Sequence, residues 1–118
     1  MPSFHHQPLP ASSTLLSGNS PRDASGFQST KLQIWYNHTQ KAWKDSGLHY
    51  HTESDEIFIV LEGTLVVEVE GQRFEVGPRE FCCFPAGLPH AIVEVHPPVE
   101  SLMIRAPSLD DKVHLAEG

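Results

Sequence analysis

The sequence predicts an all-β protein, a sandwich or barrel of short strands. Apolar and β-branched residues recur in short alternating runs, and turn-forming Gly, Pro, Asn and Asp residues separate those runs along most of the chain. Nowhere does a convincing amphipathic helical pattern develop. Closure into a barrel would also remove exposed sheet edges.

The elements follow in order. Residues 1–26 are rich in Ser, Pro and Gly and lack periodicity, and Pro2, Pro8, Pro10 and Pro21 interrupt regular structure. They are expected to form a flexible arm, with Leu15 and Leu16 able to dock on the body or on a partner subunit. Lys31–Tyr36 alternates and reads as the first strand, and Asn37–Gln40 as a turn. Lys41–Asp45 reads as a second short strand, and Gly47 leads into His49. Glu56–Leu61 is a strong strand, turned by Glu62-Gly63. Thr64–Val69 and Gln72–Val76 flank Glu70-Gly71, a tight hairpin. Gly77-Pro78 turns the chain into Glu80–Phe84, which ends at Pro85. Pro89–Val95 is broken by His96-Pro97-Pro98, and Val99–Arg105 is the last strand. After Pro107 the tail is polar, with room for one helical turn. The expected organisation is therefore an arm over 1–26, a barrel over 27–107 and a tail over 108–118.

At 118 residues there is room for one domain, large enough to bury a core without disulfide staples. The net charge of −7, with eight Lys and Arg scattered along the chain, argues against nucleic acid as a partner. No apolar run reaches the length of a membrane span, and none has the flanks of a signal peptide, so a soluble, cytoplasmic protein without a membrane partner is expected. Cys82 and Cys83 are adjacent; neighbouring strand residues point to opposite faces, so they are not expected to pair and read as small buried hydrophobes.

One segment concentrates chemistry. His49 and His51 lie two residues apart on an extended stretch, so both imidazoles share a face and could meet one ion. Glu56 lies five residues past His51, an odd offset that a regular strand would send to the other face. The intervening Thr52–Asp55 must bend or bulge to bring it back. Glu56, Phe58 and Val60 then share the inner face, while Ile57, Ile59 and Leu61 form an apolar outer one.

The wider pattern resembles the cupin family. His49, His51, Glu56 and Gly63 match its first motif, and Pro85, Gly87 and His90 match the heart of its second. The resemblance covers roughly residues 40–105. It implies a double-stranded β-helix, or jelly-roll barrel, with one divalent transition metal per chain held by His49, His51, Glu56 and His90. Fe, Mn, Co, Ni, Cu and Zn all suit such a donor set. Two positions depart from the pattern: Arg79 stands where the second motif usually opens with Gly, and Glu94 where it often ends with Asn. A left-handed turn at Arg79 would be strained, and a type I turn would avoid the strain.

The resemblance further implies a small-molecule metalloenzyme and a homodimer, formed through the outer face of Ile57, Ile59 and Leu61. Two reaction types suit it: dioxygenase-type oxidation or cleavage, and metal-assisted isomerase or lyase chemistry on a sugar or carboxylic acid. The alternative is a non-catalytic small-molecule binding or sensory module, favoured by an expected cavity of Phe58, Val60, Phe74, Phe81 and Met103. Arg105, Tyr36 and Glu94 are the catalytic candidates: Arg105 as the cation for a substrate anion, Tyr36 as a proton donor, Glu94 as a substrate-contacting carboxylate. No cofactor beyond the metal is expected. A metal-free sugar epimerase of the same barrel class is disfavoured by the intact tetrad.

Overall fold

The computed structural model describes residues 4–42 and 46–115. Its strands among these residues are β1 (Thr14–Gly18), β2 (Phe27–Gln28), β3 (Gln33–Thr39), β4 (His49–His51), β5 (Asp55–Val69), β6 (Gln72–Val76), β7 (Phe81–Phe84), β8 (His90–Ala106) and β9 (Lys112–His114). No helix occurs among them, as the sequence predicts, and so none is long and apolar enough to cross a membrane.

The antiparallel pair of β5 and β8 is the spine of a jelly roll. β7 and β6 pair with the first and second halves of β5. On the far side of β8 lie β3, which continues to β1 and β2, and β4, which continues to β9. The β5–β8 register shifts between Val60 and Thr64, where the ladder bends. The main core gathers Val60, Leu65, Val67, Phe84, Ile92, Val95 and Val99 from both ends of the spine, so the two halves close on one another.

The bend explains why two expected turns are strand. Glu62-Gly63 and His96-Pro97-Pro98 sit opposite each other in the spine, and both strands run through. Gly63 has φ +80°, and a Cβ there would lie 2.3 Å from the Pro98 carbonyl oxygen. Only glycine lets the two backbones cross so closely. Other expectations also shift. β3 continues through Asn37 to Thr39, because its pairing with Val99–Arg105 overrides local turn preference. β1 forms in the segment read as an arm, pairing with β3 and burying Leu15 completely. β9 replaces the helical turn considered for the tail, through pairing with β4. The strand expected over Lys41–Asp45 falls largely on residues 43–45, outside the described residues.

The tight turns are informative. Glu70 and Gly71 both have positive φ, so the tight hairpin expected there is of type I′. At Gly77–Glu80, Glu80 N donates to Gly77 O at 3.0 Å and Arg79 has φ +67°. With Pro78 ahead of it this is a type II turn, not the type I turn that would spare Arg79. The Arg79 N–H donates to Val60 O at 2.8 Å, a bond that fixes the turn against the core.

Candidate metal centre

Each of the four expected ligands sits at or next to the end of a strand. His49 and His51 bracket β4, Glu56 is the second residue of β5 and His90 opens β8. All four are buried, and each offers a ligand atom such that these atoms lie within 4.8 Å of one another. His49 is directly opposite His90 across the β4–β8 ladder. The bend required by the odd offset of Glu56 is present between His51 and Asp55, and Gly87 N donates to His51 O across it at 2.8 Å.

The ring orientations argue for a cation among these groups. His49 Nδ1 lies 2.8 Å from Gly47 O, and His90 Nδ1 lies 3.0 Å from Leu88 O. His51 Nδ1 lies 3.1 Å from Asp111 Oδ1. Each partner can only accept, so each Nδ1 carries the proton. The lone pairs of neutral rings are then at Nε2. His90 Nε2 faces Glu56 Oε1 at 2.9 Å, and His51 Nε2 is 3.2 Å from Glu56 Oε2. The latter approach is not aligned for hydrogen bonding, and His51 Nε2 is a buried polar atom without a hydrogen-bond partner among the described residues. Lone pairs aimed at a carboxylate repel. A shared cation, whether protons on the rings or one metal ion, makes the arrangement attractive. Three imidazoles and a carboxylate fit a divalent transition ion. Burial pushes His49 down to about 4, which keeps that ring neutral and available as a ligand at pH 7.

A lateral row of side chains supports Glu56. Gln33, Arg105, Glu56 and Phe84 are register neighbours across β3, β8, β5 and β7, and all four are buried. Arg105 Nε donates to Glu56 Oε2 at 2.7 Å, and a terminal guanidinium nitrogen donates to Gln33 Oε1 at 3.2 Å. Phe84 stacks flat on the His90 ring, with centroids 3.9 Å apart. Burial alone would raise the pKa of Glu56, but its polar and charged neighbours, the Arg105 guanidinium among them, hold its carboxyl well below the usual range.

Of the catalytic candidates, the fold brings only Arg105 to the tetrad. Tyr36 is three residues from the inward Gln33 on a regular strand and faces the other way, donating to Glu100. Glu94 lies outside the tetrad, its carboxylate 3.1 Å from the half-exposed His96. Beside the tetrad is a cavity of about 300 Å³, lined by His49, Glu56, Arg105, Lys112 and an apolar wall of Phe58, Leu65, Ile92, Val95, Val99 and Met103. Phe74 and Phe81, expected in that cavity, are 49% and 69% exposed. Phe84 points inward on β7, so alternation turns Cys82 in with it and Phe81 and Cys83 out. The sequence suggested two buried cysteines; Cys82 is partly buried against the core and Cys83 is exposed.

Sequence reasoning missed Asp111 and Lys112. Both belong to a polar tail whose role depends on where β9 docks. Lys112 also lines a second pocket of about 270 Å³, shared with Arg105 and with Arg22, Asp110 and His114.

Known proteins share this fold. The family model for the cupin domain matches residues 37–104. KdgF from Halomonas sp. superimposes with a TM-score of 0.62 at 23% identity, covering 70% of this chain and 74% of that one. DMSP lyase DddQ from Ruegeria pomeroyi DSS-3 gives 0.63 at 24% identity, covering 87% of this chain and half of DddQ, 50%. A Streptomyces PAC13 variant solved with uridine gives 0.62 at 12% identity over 75% of this chain and 71% of that one. Among curated proteins none matches. At these identities the solved structures establish the fold, and the family model adds the sequence evidence over more than half the chain. The chain belongs to the cupin-domain family.

Proposed function

We propose that this chain is a metal-dependent lyase or isomerase acting on a small carboxylic acid. The observation that carries the proposal is the placing of two cations, Arg105 and Lys112, on the wall of the cavity that holds the tetrad. They are two of only eight Lys and Arg in a chain of net charge −7, and Arg22 lies on the neighbouring pocket that they also line. A pocket this basic in an acidic protein suits an anionic ligand. Two structural neighbours are named for related chemistry, a DMSP lyase and a nucleoside dehydratase.

His49, His51, Glu56 and His90 would hold the ion, which when bound supplies Lewis acidity to a ligand oxygen. Arg105 has donors left after Glu56 and Gln33 and, with Arg22, binds the carboxylate. Burial, reinforced by the Arg105 charge, pushes the Lys112 amine below its usual range. An amine on the cavity wall is placed to move a proton, and we assign Lys112 that role. The apolar wall excludes water from the reacting end.

The test is turnover by protein loaded in turn with Mn, Fe(II), Co, Ni, Cu and Zn. Substrates would be uronic acids and β-substituted carboxylic acids, with diketones, phenols and thiols alongside. The expected result is a new unsaturated or isomerised acid without O₂ uptake, with Lys112→Gln lowering kcat and Arg22→Gln raising KM. O₂ uptake coupled to turnover would replace this reading with a dioxygenase. Tight binding of one compound without turnover would replace it with a binding module.

The chain also acts, in this reading, as a homodimer. Ile57, Ile59, Leu61, Phe81 and Ile104 line one apolar patch on the outer face of the spine, and Leu61 and Phe81 are exposed. A second copy of the same face would bury them. Sizing at two concentrations checks this; a strict monomer at high concentration contradicts it.

A further inference from the structure

We propose that Asp111 is a positioning residue for the metal site, and that through it the C-terminal strand β9 is a working part of that site. The inference rests on the reading of the tetrad as a metal centre. It concerns a residue outside both motif segments.

The geometry is specific. One Asp111 oxygen, Oδ1, lies 3.1 Å from His51 Nδ1. The other, Oδ2, accepts from Glu53 N and Ser54 N, both at 2.8 Å. The Asp111 carbonyl accepts from Thr52 N at 3.2 Å. One residue therefore takes three successive backbone N–H groups of the bend that turns Glu56 inward, and also fixes the ring that precedes it. The side chain is nearly buried, 8% exposed. A carboxylate can only accept, so His51 must carry its proton on Nδ1 and leave Nε2 bare toward the other ligands. β4 needs this support. It has three residues, and its pairing with β8 is the single register His49–His90. Its full-length partner is β9, which pairs His49, Tyr50 and His51 with His114, Val113 and Lys112.

Asp111→Asn separates orientation from mere support. The amide oxygen can still take the Glu53 and Ser54 N–H groups. Its NH₂ then faces His51 Nδ1 and donates to it, which forces the proton onto Nε2 and blocks ligation there. Ser54→Ala is the control. It removes the Ser54 Oγ bond to Pro107 O at 2.9 Å, which tethers the same tail; the hydroxyl also reaches the Asp111 carboxylate, but it does not touch His51.

The experiment is calorimetric titration with Zn²⁺ and Co²⁺ of wild type, Asp111→Asn, Asp111→Ala and Ser54→Ala. Urea unfolding and long-range ¹H–¹⁵N histidine spectra of the metal-free proteins in mildly alkaline buffer accompany it. Expected are an Nδ1–H tautomer of His51 in wild type and an Nε2–H tautomer in Asp111→Asn. Affinity should fall about 10–100-fold in Asp111→Asn, the range for removing such an outer partner. Its urea midpoint should stay close to that of wild type, and Ser54→Ala should lose stability but keep its affinity. Asp111→Ala should lose both. An unchanged tautomer, a change in affinity of less than about twofold in Asp111→Asn, or an equal loss of affinity in Ser54→Ala would overturn the proposal. Failure of wild type itself to bind either ion would instead overturn the reading of the tetrad, while the tautomer spectra would still decide the role of Asp111.

Discussion

Replacing Arg105 with Met should destabilise the metal-free protein far more than the metal-loaded one. Arg105 and Glu56 form a buried pair, with Nε 2.7 Å from Oε2 and both side chains less than a tenth exposed. At that distance and an effective dielectric near 20 the attraction is about 6 kcal/mol before desolvation is counted. Truncating one member of a buried pair typically costs about 3–5 kcal/mol, because the other charge is left buried and uncompensated. Met fills similar volume and keeps the apolar contacts of the arginine stem, so lost packing adds little. In the metal-free protein a loss of about 3–5 kcal/mol is therefore expected, a large share of the roughly 5–15 kcal/mol that holds a domain together. A divalent ion on Glu56 supplies positive charge from the other side, so the loss in the loaded protein should be smaller. The assay is urea unfolding of wild type and Arg105→Met, each with chelator and with saturating Zn²⁺, analysed by linear extrapolation. A loss below about 1 kcal/mol without metal, or equal losses with and without it, would refute the idea that Arg105 and a metal share the charge of Glu56.

Three further outcomes are expected. Gly63→Ala should unfold the protein or cost well over the roughly 1–2 kcal/mol of a left-handed alanine, since its Cβ would meet Pro98 O at 2.3 Å; urea unfolding measures this, and a near-neutral effect would contradict the crossing at that bend. The metal-free protein should lose stability steadily as pH falls from 6.5 toward about 4, because unfolded His49 takes up a proton that the folded ring refuses until about 4. Glu56 adds to this below the ordinary carboxylate value of 4.5, since the unfolded carboxylate takes up a proton there that the folded one, paired with Arg105, still refuses; a urea midpoint that is flat or rising over that range would contradict both. In dilute protein a thiol reagent should modify the exposed Cys83 and spare Cys82, whose thiol burial pushes up to about 11; equal labelling, read by peptide mass, would contradict the alternation in β7.

Much of the candidate site was legible in the sequence because its information is local. The spacing of His49 and His51 fixes a shared face, and the odd offset to Glu56 demands the bend that the structure contains. His90 became legible only through the second motif, since nothing near it in sequence says that it lies across from His49. The support was not legible. Arg105 stood out as a cation, but its row with Gln33, Glu56 and Phe84 exists only through the register of four strands. Asp111 looked like one acid in a polar tail until β9 paired with β4. In sequence each of the two long strands reads as two, because Gly63 and Pro97-Pro98 signal turns wherever they occur alone. Placed opposite each other, they instead let the spine bend without ending. Phe81 is apolar yet faces outward, because the alternation that Phe84 imposes on β7 outweighs hydrophobicity there.

The central claim is that His49, His51, Glu56 and His90 hold one divalent transition metal. Metal content of protein purified without a histidine tag, before and after reconstitution, tests it most directly. Close to one equivalent per chain is expected, lost almost entirely in His51→Ala. Less than about a tenth of an equivalent of any transition metal after reconstitution would contradict it, given that such a donor set should retain its ion through purification.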